Sequence, residues 1–288
     1  MNDYLLSILL GIIEGLTEFL PVSSTAHLRI AEWLFQIDLK SGYWKMFSIV
    51  IQLGAILALT VYFWRRILKF LHTFPRGESG DRTILTHPLS LVAMAFVVTA
   101  VPAFLLTKVI GKNLENLYVM ALALLIGGVV MWVVDSLFVR PRIARMEEMN
   151  LPSAIWIGAV QVLSAIFPGT SRSMCTIAAG QIAGMSREAA LEFSFFLSIP
   201  TMFVATGYDL FKTIKPHPAV EAIAPLTMTS HQWIVLAIGF VAAFLTAWPV
   251  VAWFLRWVRR RGFGPFAIYR ILLGAVLLFA LARGMVGR

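Results

Sequence analysis

The chain has few charged residues for its length. Asp, Glu, Lys and Arg make up 14% of its 288 residues, whereas a soluble domain has roughly 25%. Acidic residues are the scarcest, because 15 Asp and Glu stand against 24 Lys and Arg, a formal net charge of +9. With 59% hydrophobic residues and a mean hydropathy of +0.82, this composition excludes an ordinary soluble domain and indicates a membrane protein.

Cysteine is almost absent, which excludes a disulfide within the chain. The one cysteine, Cys175, is interpreted as a small apolar filler.

The N-terminal segment lacks a basic region and a small-residue cleavage site, so we expect no cleaved signal peptide. Lys and Arg collect in short loops between apolar runs, as the positive-inside rule describes, and we therefore expect no nucleic acid partner.

Six apolar runs are each long enough to cross a bilayer as a helix of about 20 residues. These predicted spans are residues 46–64, 88–107, 117–137, 189–211, 232–255 and 266–282. Two further segments, 4–35 and 152–184, differ because Pro21 or Pro168 breaks the apolar run before a turn rich in hydroxyl side chains. We interpret each as a re-entrant helix–loop–helix, since irregular backbone at membrane depth must be buried in protein or line a wet cavity.

The two re-entrant segments carry one motif twice. Residues 11–25 read GIIEGLTEFLPVSST and residues 158–172 read GAVQVLSAIFPGTSR, a displacement of 147 positions that pairs Ser24 with Ser171. Polar residues and helix breakers are costly at membrane depth, so a duplicated pair indicates a functional site between two repeats.

The repeat sets the predicted fold class. Each half has a hairpin followed by three spans, an odd number, so the second half must enter the membrane from the opposite side. We predict an all-α integral membrane protein with an inverted-topology repeat, each half a re-entrant helix–loop–helix plus three transmembrane helices. The first repeat covers about 1–146 and the second about 147–288, within one membrane domain.

Loop charge predicts the orientation. If the first hairpin enters from outside, the loops on the other side of the membrane carry more Lys and Arg. The side richer in Lys and Arg is cytoplasmic by the positive-inside rule. We therefore expect the first hairpin and both chain ends on the outside.

Two acids lie one helical turn apart in the first hairpin. Glu14 and Glu18 are four residues apart, so they share one helix face. Unpaired carboxylates are costly at membrane depth, so we expect a cation, a metal ion or water beside them. A hard divalent cation such as Mg²⁺ suits this pair, because it takes oxygen ligands and shares them with phosphate. The open alternative is that the helix ends at the interface and both acids are solvated.

A run of hydroxyls follows the proline of the first hairpin, namely Ser23, Ser24 and Thr25, and His27 comes next. At a helix start, such residues offer hydroxyls and free backbone N–H groups to an anion. The alternative for Ser23 is an ordinary N-cap. His27 is on the same turn as Ser24, and beside Ser24 and Glu18 it fits an acid/base or nucleophile partner.

The second hairpin supplies Thr170, Ser171 and Ser173 around Arg172, the only cation in that apolar region. A guanidinium stays charged and forks onto phosphate or carboxylate oxygens, and the alternative is a structural salt bridge to an acid of the first hairpin. Arg270, in the last span, is interpreted as reaching toward the cytoplasmic surface. Together the two hairpins offer acids, a cation, hydroxyls and an imidazole, a set that fits phosphoryl transfer.

These motifs resemble those of the undecaprenyl-diphosphate phosphatase family, also known as bacitracin-resistance proteins. The resemblance covers the whole chain in length, span pattern and repeat. The matching motifs are Glu14-x-x-x-Glu18, Pro21-Val-Ser-Ser-Thr-Ala-His27 and Pro168-Gly-Thr-Ser-Arg-Ser-Met-Cys-Thr176. One departure is Ala26, where many members have Gly.

The resemblance implies a multi-pass enzyme of the bacterial cytoplasmic membrane with its active site facing outside. It would hydrolyse undecaprenyl diphosphate to undecaprenyl phosphate and phosphate, which recycles the lipid carrier for peptidoglycan synthesis and confers bacitracin resistance. The implied cofactor is a divalent cation, Mg²⁺ or Ca²⁺. The implied partners are the polyprenyl diphosphate and membrane lipids, and a homodimer is left open.

The resemblance also implies residue roles. Glu14 and Glu18 would handle the metal or proton transfer, and Arg172 would clamp the diphosphate. Either Ser24 or His27 would be the nucleophile, with the other assisting. The hydroxyls expected to help bind the substrate are Ser23, Thr25, Thr170, Ser171 and Ser173.

Two other functions remain as alternatives. An inverted repeat is a transporter device, so a polyprenyl-phosphate transporter or flippase could use the same site, and a lipid-binding accessory protein is a weaker third. The unequal division of chemistry between the hairpins favours an enzyme, because only the first has Glu18 and His27 and only the second has Arg172.

Overall fold

The computed structural model describes residues 2–37, 42–78, 80–113, 116–214 and 228–285. Within these ranges the chain is helical, with one isolated bridge between Ile143 and Met185 and no β-strand. The prediction of an all-α membrane protein is therefore confirmed. Of the loop cations behind the predicted orientation, Lys40, Lys215 and Arg288 lie outside the described residues.

The described part of the first half contains seven α-helices. They are α1 (Asp3–Thr17), α2 (Ser24–Leu34), α3 (Gly42–Tyr62), α4 (Trp64–Thr73), α5 (Pro88–Leu105), α6 (Thr107–Asn113) and α7 (Leu117–Leu137). The second half begins with a short 3-10 turn. Its helices are α8 (Leu151–Ile166), α9 (Arg172–Ile182), α10 (Arg187–Ile214), α11 (Ser230–Arg261) and α12 (Gly264–Ala282).

Among the described residues, six helices are long and apolar enough to cross a membrane: α3, α5, α7, α10, α11 and α12. They coincide with the six predicted spans. The hairpin helices are shorter, and the longest of them, α8, has 16 residues. A helix of that length reaches about 24 Å, less than the roughly 30 Å hydrocarbon core. The helix–loop–helix pattern of both hairpins is confirmed, while their entry into a bilayer stays a prediction.

Local sequence signals explain where several helices begin. The Asn116 side chain accepts hydrogen bonds from the backbone N–H groups of Tyr118 and Val119 at the start of α7. Asn150 caps α8 in the same way, and Thr229 forms a capping box with Gln232 at the start of α11. These side chains satisfy N–H groups that a helix start leaves unpaired.

Each hairpin packs against a span of the other half. Helix α1 lies along α11, and α8 lies along α5, while α3 packs on α10 and α7 on α12. Glycines permit this closeness, since a Cβ on Gly15 of α1 would lie 2.6 Å from the Ala243 carbonyl oxygen of α11. Gly158 of α8 meets the Ala95 backbone of α5 equally closely. The two halves interlock, and this brings the hairpin loops together; the inverted orientation of the halves stays a prediction.

Candidate active site

The starts of helices α2 and α9 form the centre of the site. Ser23 and Ser171 are their N-caps, with side chains that accept hydrogen bonds from the backbone N–H groups of Ala26 and Met174 at 3.4 Å. Both serines have a left-handed backbone, with φ of 74° and 70°. The alternative given for Ser23, an N-cap, is what the structure shows, and its counterpart in the second hairpin is Ser171.

This equivalence corrects the register of the repeat. The sequence alignment paired Ser24 with Ser171, whereas the structure pairs Ser23 with Ser171 and Ser24 with Arg172 as first residues of their helices. The physical reason is one extra residue between proline and cap in the second hairpin, where Gly169, with φ of 94°, makes the turn. The Ser24 hydroxyl of one hairpin and the Arg172 cation of the other thus hold the same position.

Glu18 joins the two helix starts. It is 8% exposed and lies at the C-cap of α1. The Ser24 hydroxyl donates a hydrogen bond to its Oε2 at 2.6 Å, and Arg172 Nη2 donates to its Oε1 at 3.1 Å. The structure thus brings Arg172 of the second hairpin to Glu18 and Ser24 of the first, across 154 positions of sequence. Short charge-assisted bonds of this kind are the stronger class.

Arg172 has donors left over. Besides its bond to Glu18, its Nη1 lies 3.5 Å from the Ser194 carbonyl oxygen. Its Nε is buried and has no hydrogen-bond partner among the described residues. A guanidinium with unused donors next to a carboxylate can take up phosphate oxygens by rearranging a few bonds.

Glu14 lies one turn deeper than Glu18. It is fully buried, and neither of its carboxylate oxygens has a hydrogen-bond partner among the described residues. The cavity next to Glu18 is not lined by Glu14. Because Glu14 is fully buried, the alternative in which both acids are merely solvated does not describe it, and buried polar groups of this kind normally have a partner.

The acid pair fits a divalent cation in donor chemistry. Glu14 offers two unused oxygens, and within the described ranges no group of three or more His, Cys, Asp or Glu comes together to hold a metal. Two carboxylates are a donor set that Mg²⁺ commonly takes, because this ion completes its shell with phosphate and water.

His27 points away from Ser24. Its Nδ1 lies 2.7 Å from the Ser23 carbonyl oxygen, and its Nε2 lies 2.6 Å from the Tyr269 hydroxyl of α12. The imidazole and phenol rings stack with centroids 5.6 Å apart. His27 and Ser24 lie near each other at the start of α2, as predicted. The imidazole, however, makes its hydrogen bonds to Ser23 and Tyr269 and not to the Ser24 hydroxyl.

The predicted substrate-binding hydroxyls fall into two groups. Ser23, Thr25 and Ser171 line the cavity beside Glu18. Thr170 and Ser173 do not line it, because their hydroxyls donate to the carbonyl oxygens of Phe167 and Leu20. Ser173 therefore links the second hairpin to the loop of the first.

The cavity measures about 250 Å³ and lies between the two hairpins. Two spans, α3 and α10, and the short helix α6 complete its wall with Gln52, Ile110, Thr201 and Met202. Gln52 was not among the predicted site residues, although a polar side chain inside an apolar span is the signal that marks functional positions. The wall is thus polar around Glu18 and apolar at Ile110 of α6 and Met202 of α10.

Arg270 is the residue that sequence reasoning placed wrongly. It is fully buried and donates hydrogen bonds to the carbonyl oxygens of Pro21, Ala123, Gly169 and Thr170 at 2.9–3.1 Å. The prediction that it reaches the cytoplasmic surface is wrong, because these four acceptors replace water around the guanidinium. Arg270 thus fastens both hairpin loops to helices α7 and α12.

Helix α7 is shaped to admit this guanidinium. A Cβ on Gly127 would overlap Arg270 Nη2, and a Cβ on Gly128 would lie 3.0 Å from Arg270 Cβ. Two adjacent glycines therefore open the space that the buried cation fills.

Comparisons with known proteins show the family of the chain. The family model described as "Bacitracin resistance protein BacA" matches residues 7–276. The chain is 63% identical over 286 residues to a protein of Koribacter versatilis (strain Ellin345), covering 98% of this chain and 100% of that protein. It is 41% identical over 279 residues to a protein of Thermus thermophilus, covering 96% and 97%, and 40% identical to one of Caldanaerobacter subterraneus, covering 96% of each. All three relatives are named undecaprenyl-diphosphatase.

Proposed function

Because the chain belongs to the family of the bacitracin resistance protein BacA, we infer that it hydrolyses undecaprenyl diphosphate to undecaprenyl phosphate and inorganic phosphate. The protein is a multi-pass enzyme of the bacterial cell membrane. The names of its relatives favour this reaction over the transporter alternative. The observation that supports this reaction at these residues is the contact of Glu18 with both Ser24 and Arg172.

We propose Ser24 as the nucleophile, since its hydroxyl already donates to a carboxylate at 2.6 Å. Glu18 accepts the proton as Ser24 Oγ attacks the terminal phosphorus. The Oγ–P bond forms while the bridging P–O bond breaks, and its electron pair leaves on undecaprenyl phosphate. Water then attacks the phosphoserine, which releases inorganic phosphate and restores the hydroxyl.

Arg172 supplies positive charge where negative charge develops. In the structure its Nη2 is bonded to Glu18, and its buried Nε has no partner among the described residues. We propose that the guanidinium forks onto the terminal phosphoryl oxygens when substrate binds. The backbone N–H groups at the starts of α2 and α9 would add further donors for the same oxygens.

Glu14 and Glu18 would hold a divalent cation, Mg²⁺ or Ca²⁺. When bound there, the ion would neutralise phosphate oxygens and so favour the attack of a nucleophile. The support is the buried Glu14 carboxylate, whose oxygens have no other partner among the described residues.

The loop charges support an active site that opens to the outside of the membrane. An outward site suits a lipid whose diphosphate headgroup lies at the membrane surface. A homodimer stays a prediction of the sequence.

The test is phosphate release from undecaprenyl diphosphate by the purified protein in detergent. We expect Glu18→Gln to abolish turnover, because an amide cannot accept the Ser24 proton. Glu188→Gln is the matched control, since Glu188 is an exposed acid that pairs with Arg259 outside the cavity. Turnover by Glu18→Gln at the parent rate would contradict the assignment. Lipid movement across liposomes without phosphate release would instead support the transporter.

A further inference from the structure

A chain of hydrogen bonds runs from helix α12 to the turn that carries Ser24. The Tyr269 hydroxyl lies 2.6 Å from His27 Nε2, and His27 Nδ1 lies 2.7 Å from the Ser23 carbonyl oxygen. The two rings stack with an interplanar angle of 13°. Tyr269 is 43% exposed, so the stacking keeps its phenol on the imidazole in competition with solvent.

The partners of the imidazole fix its hydrogens. A carbonyl oxygen only accepts, so the hydrogen of the neutral ring is on Nδ1, which donates to Ser23. Nε2 is then the acceptor, and the Tyr269 hydroxyl donates to it. Both ring nitrogens are occupied, and neither faces the Ser24 hydroxyl, which donates to Glu18.

Ser23 receives two hydrogen bonds at its carbonyl oxygen, one from the imidazole and one, at 3.3 Å, from the backbone N–H of His27. The Ser23 φ of 74° and ψ of 93° are unusual for a residue with a side chain, and backbone of this kind persists only where its surroundings hold it. The next residue is Ser24, so the direction of the Ser24 side chain depends on this turn. Without the imidazole this carbonyl would keep only its bond from the backbone N–H of His27, which would loosen the turn and carry the hydroxyl away from Glu18.

The second hairpin provides the comparison. Ser171 has the same cap and a left-handed φ of 70°, but the residue four positions later is Cys175, where the first hairpin has His27. The second turn positions an arginine with a long, adaptable side chain, whereas the first must aim a short hydroxyl. The imidazole is present only in the hairpin whose cap precedes Ser24.

We propose that His27 and Tyr269 are positioning residues: the Tyr269 hydroxyl holds His27, and His27 holds the Ser23 carbonyl, so that Ser24 Oγ faces Glu18. This assignment rests on the proposed function in taking Ser24 as the nucleophile. In this assignment the histidine of the motif positions the turn and does not react, and Tyr269 of the last span, α12, becomes part of the site.

The test compares two substitutions of His27. An asparagine amide can donate to the Ser23 carbonyl from the place of Nδ1, but it can neither attack phosphorus nor take a proton at neutral pH. We expect His27→Asn to release phosphate at least about 10-fold faster than His27→Ala, because only Asn keeps the bond to Ser23. Equal inactivity of the two variants, with both folded by size-exclusion chromatography, would overturn the proposal.

Tyr269→Phe removes only the hydroxyl. We expect kcat to fall about 3- to 10-fold with KM unchanged, the effect of one hydrogen bond. In the His27→Ala background the same substitution should have no effect, since the hydroxyl then has nothing to hold. Tyr118→Phe is the control, because Tyr118 is an exposed tyrosine whose hydroxyl bonds weakly, at 3.4 Å, to the Leu281 carbonyl of the same helix α12. A full effect of Tyr269→Phe without His27 would contradict the proposal.

Chemical labelling separates this proposal from the proposed function. Diethyl pyrocarbonate reacts with an imidazole nitrogen that has a free lone pair, and mass spectrometry locates the product. We expect Tyr269→Phe to accelerate modification of His27 several-fold while His72 reacts at the parent rate. Unchanged modification of His27 would overturn the contact. If the parent releases no phosphate, the proposed function fails, yet this labelling still decides the Tyr269–His27 contact.

Discussion

One methyl group on the neighbouring helix α7 can displace the buried guanidinium of Arg270 by direct contact. Gly127 faces its Nη2 so closely that an alanine Cβ would overlap it. Nη2 donates to the carbonyl oxygens of Gly169 and Thr170, in the loop of the second hairpin. Gly127→Ala therefore pushes the cation out of its place without removing any polar group.

The expected cost follows from the packing. Forcing a methyl group into a filled site costs about 1–3 kcal/mol, which lowers the unfolding temperature by roughly 2–4 °C per kcal/mol. A displacement of about 1 Å in groups that position a substrate can slow catalysis by about 100-fold. We expect Gly127→Ala to lower the apparent unfolding temperature by several degrees and to reduce phosphate release by about 10- to 100-fold.

Gly207→Ala is the matched control. Gly207 lies in α10, and a Cβ there would meet nothing within 4 Å. Since alanine favours a helix by up to about 1 kcal/mol over glycine, this variant should be unchanged or slightly more stable, with the parent rate. Unfolding is followed by size-exclusion chromatography after heating in detergent. If the two glycine variants match in stability and in rate, Arg270 does not hold the loops as described.

Three further predictions test other parts of the site. Arg172→Lys keeps the charge but loses the fork, so kcat/KM should fall about 10- to 100-fold; a fall of less than twofold would contradict a bidentate role. Removal of divalent cations with EDTA should stop phosphate release, and Glu14→Gln should raise the Mg²⁺ concentration needed to restore it; a chelator-insensitive rate would exclude the proposed cation. A cysteine at Thr25 should react in intact cells with a membrane-impermeant maleimide, whereas one at Arg145 should not; Cys175 is buried and gives a low background. Labelling of Arg145→Cys alone would reverse the proposed orientation.

Much of the fold follows from the order of apolar runs. The six spans were predicted to within a few residues, because about 20 apolar residues in a row have few other structures open to them. Pro21 and Pro168 marked the loops of both hairpins, since proline ends a helix for steric reasons. Where the structure differs in register, the cause is one inserted residue near Gly169, which a motif match across a flexible turn does not detect.

Side-chain chemistry indicated part of the site. Glu18, Ser24 and Arg172 were each recognisable as polar residues inside apolar segments, and the repeat placed their loops together. The partner of His27 could not be predicted, because Tyr269 is 242 positions away and a tyrosine in a span carries no signal of its own. Arg270 was noticed but misplaced, since only the folded loops show four carbonyl groups around it.

The most direct test of the central claim is to identify the residue that carries phosphate during turnover. The protein is mixed with undecaprenyl diphosphate, quenched within milliseconds in acid and, in parallel, in alkali, and its peptides are analysed by mass spectrometry. The geometry of Glu18 and Ser24 predicts an acid-stable phosphate on Ser24 that is missing from Ser24→Ala. Phosphate on His27, found only after the alkaline quench, would contradict it.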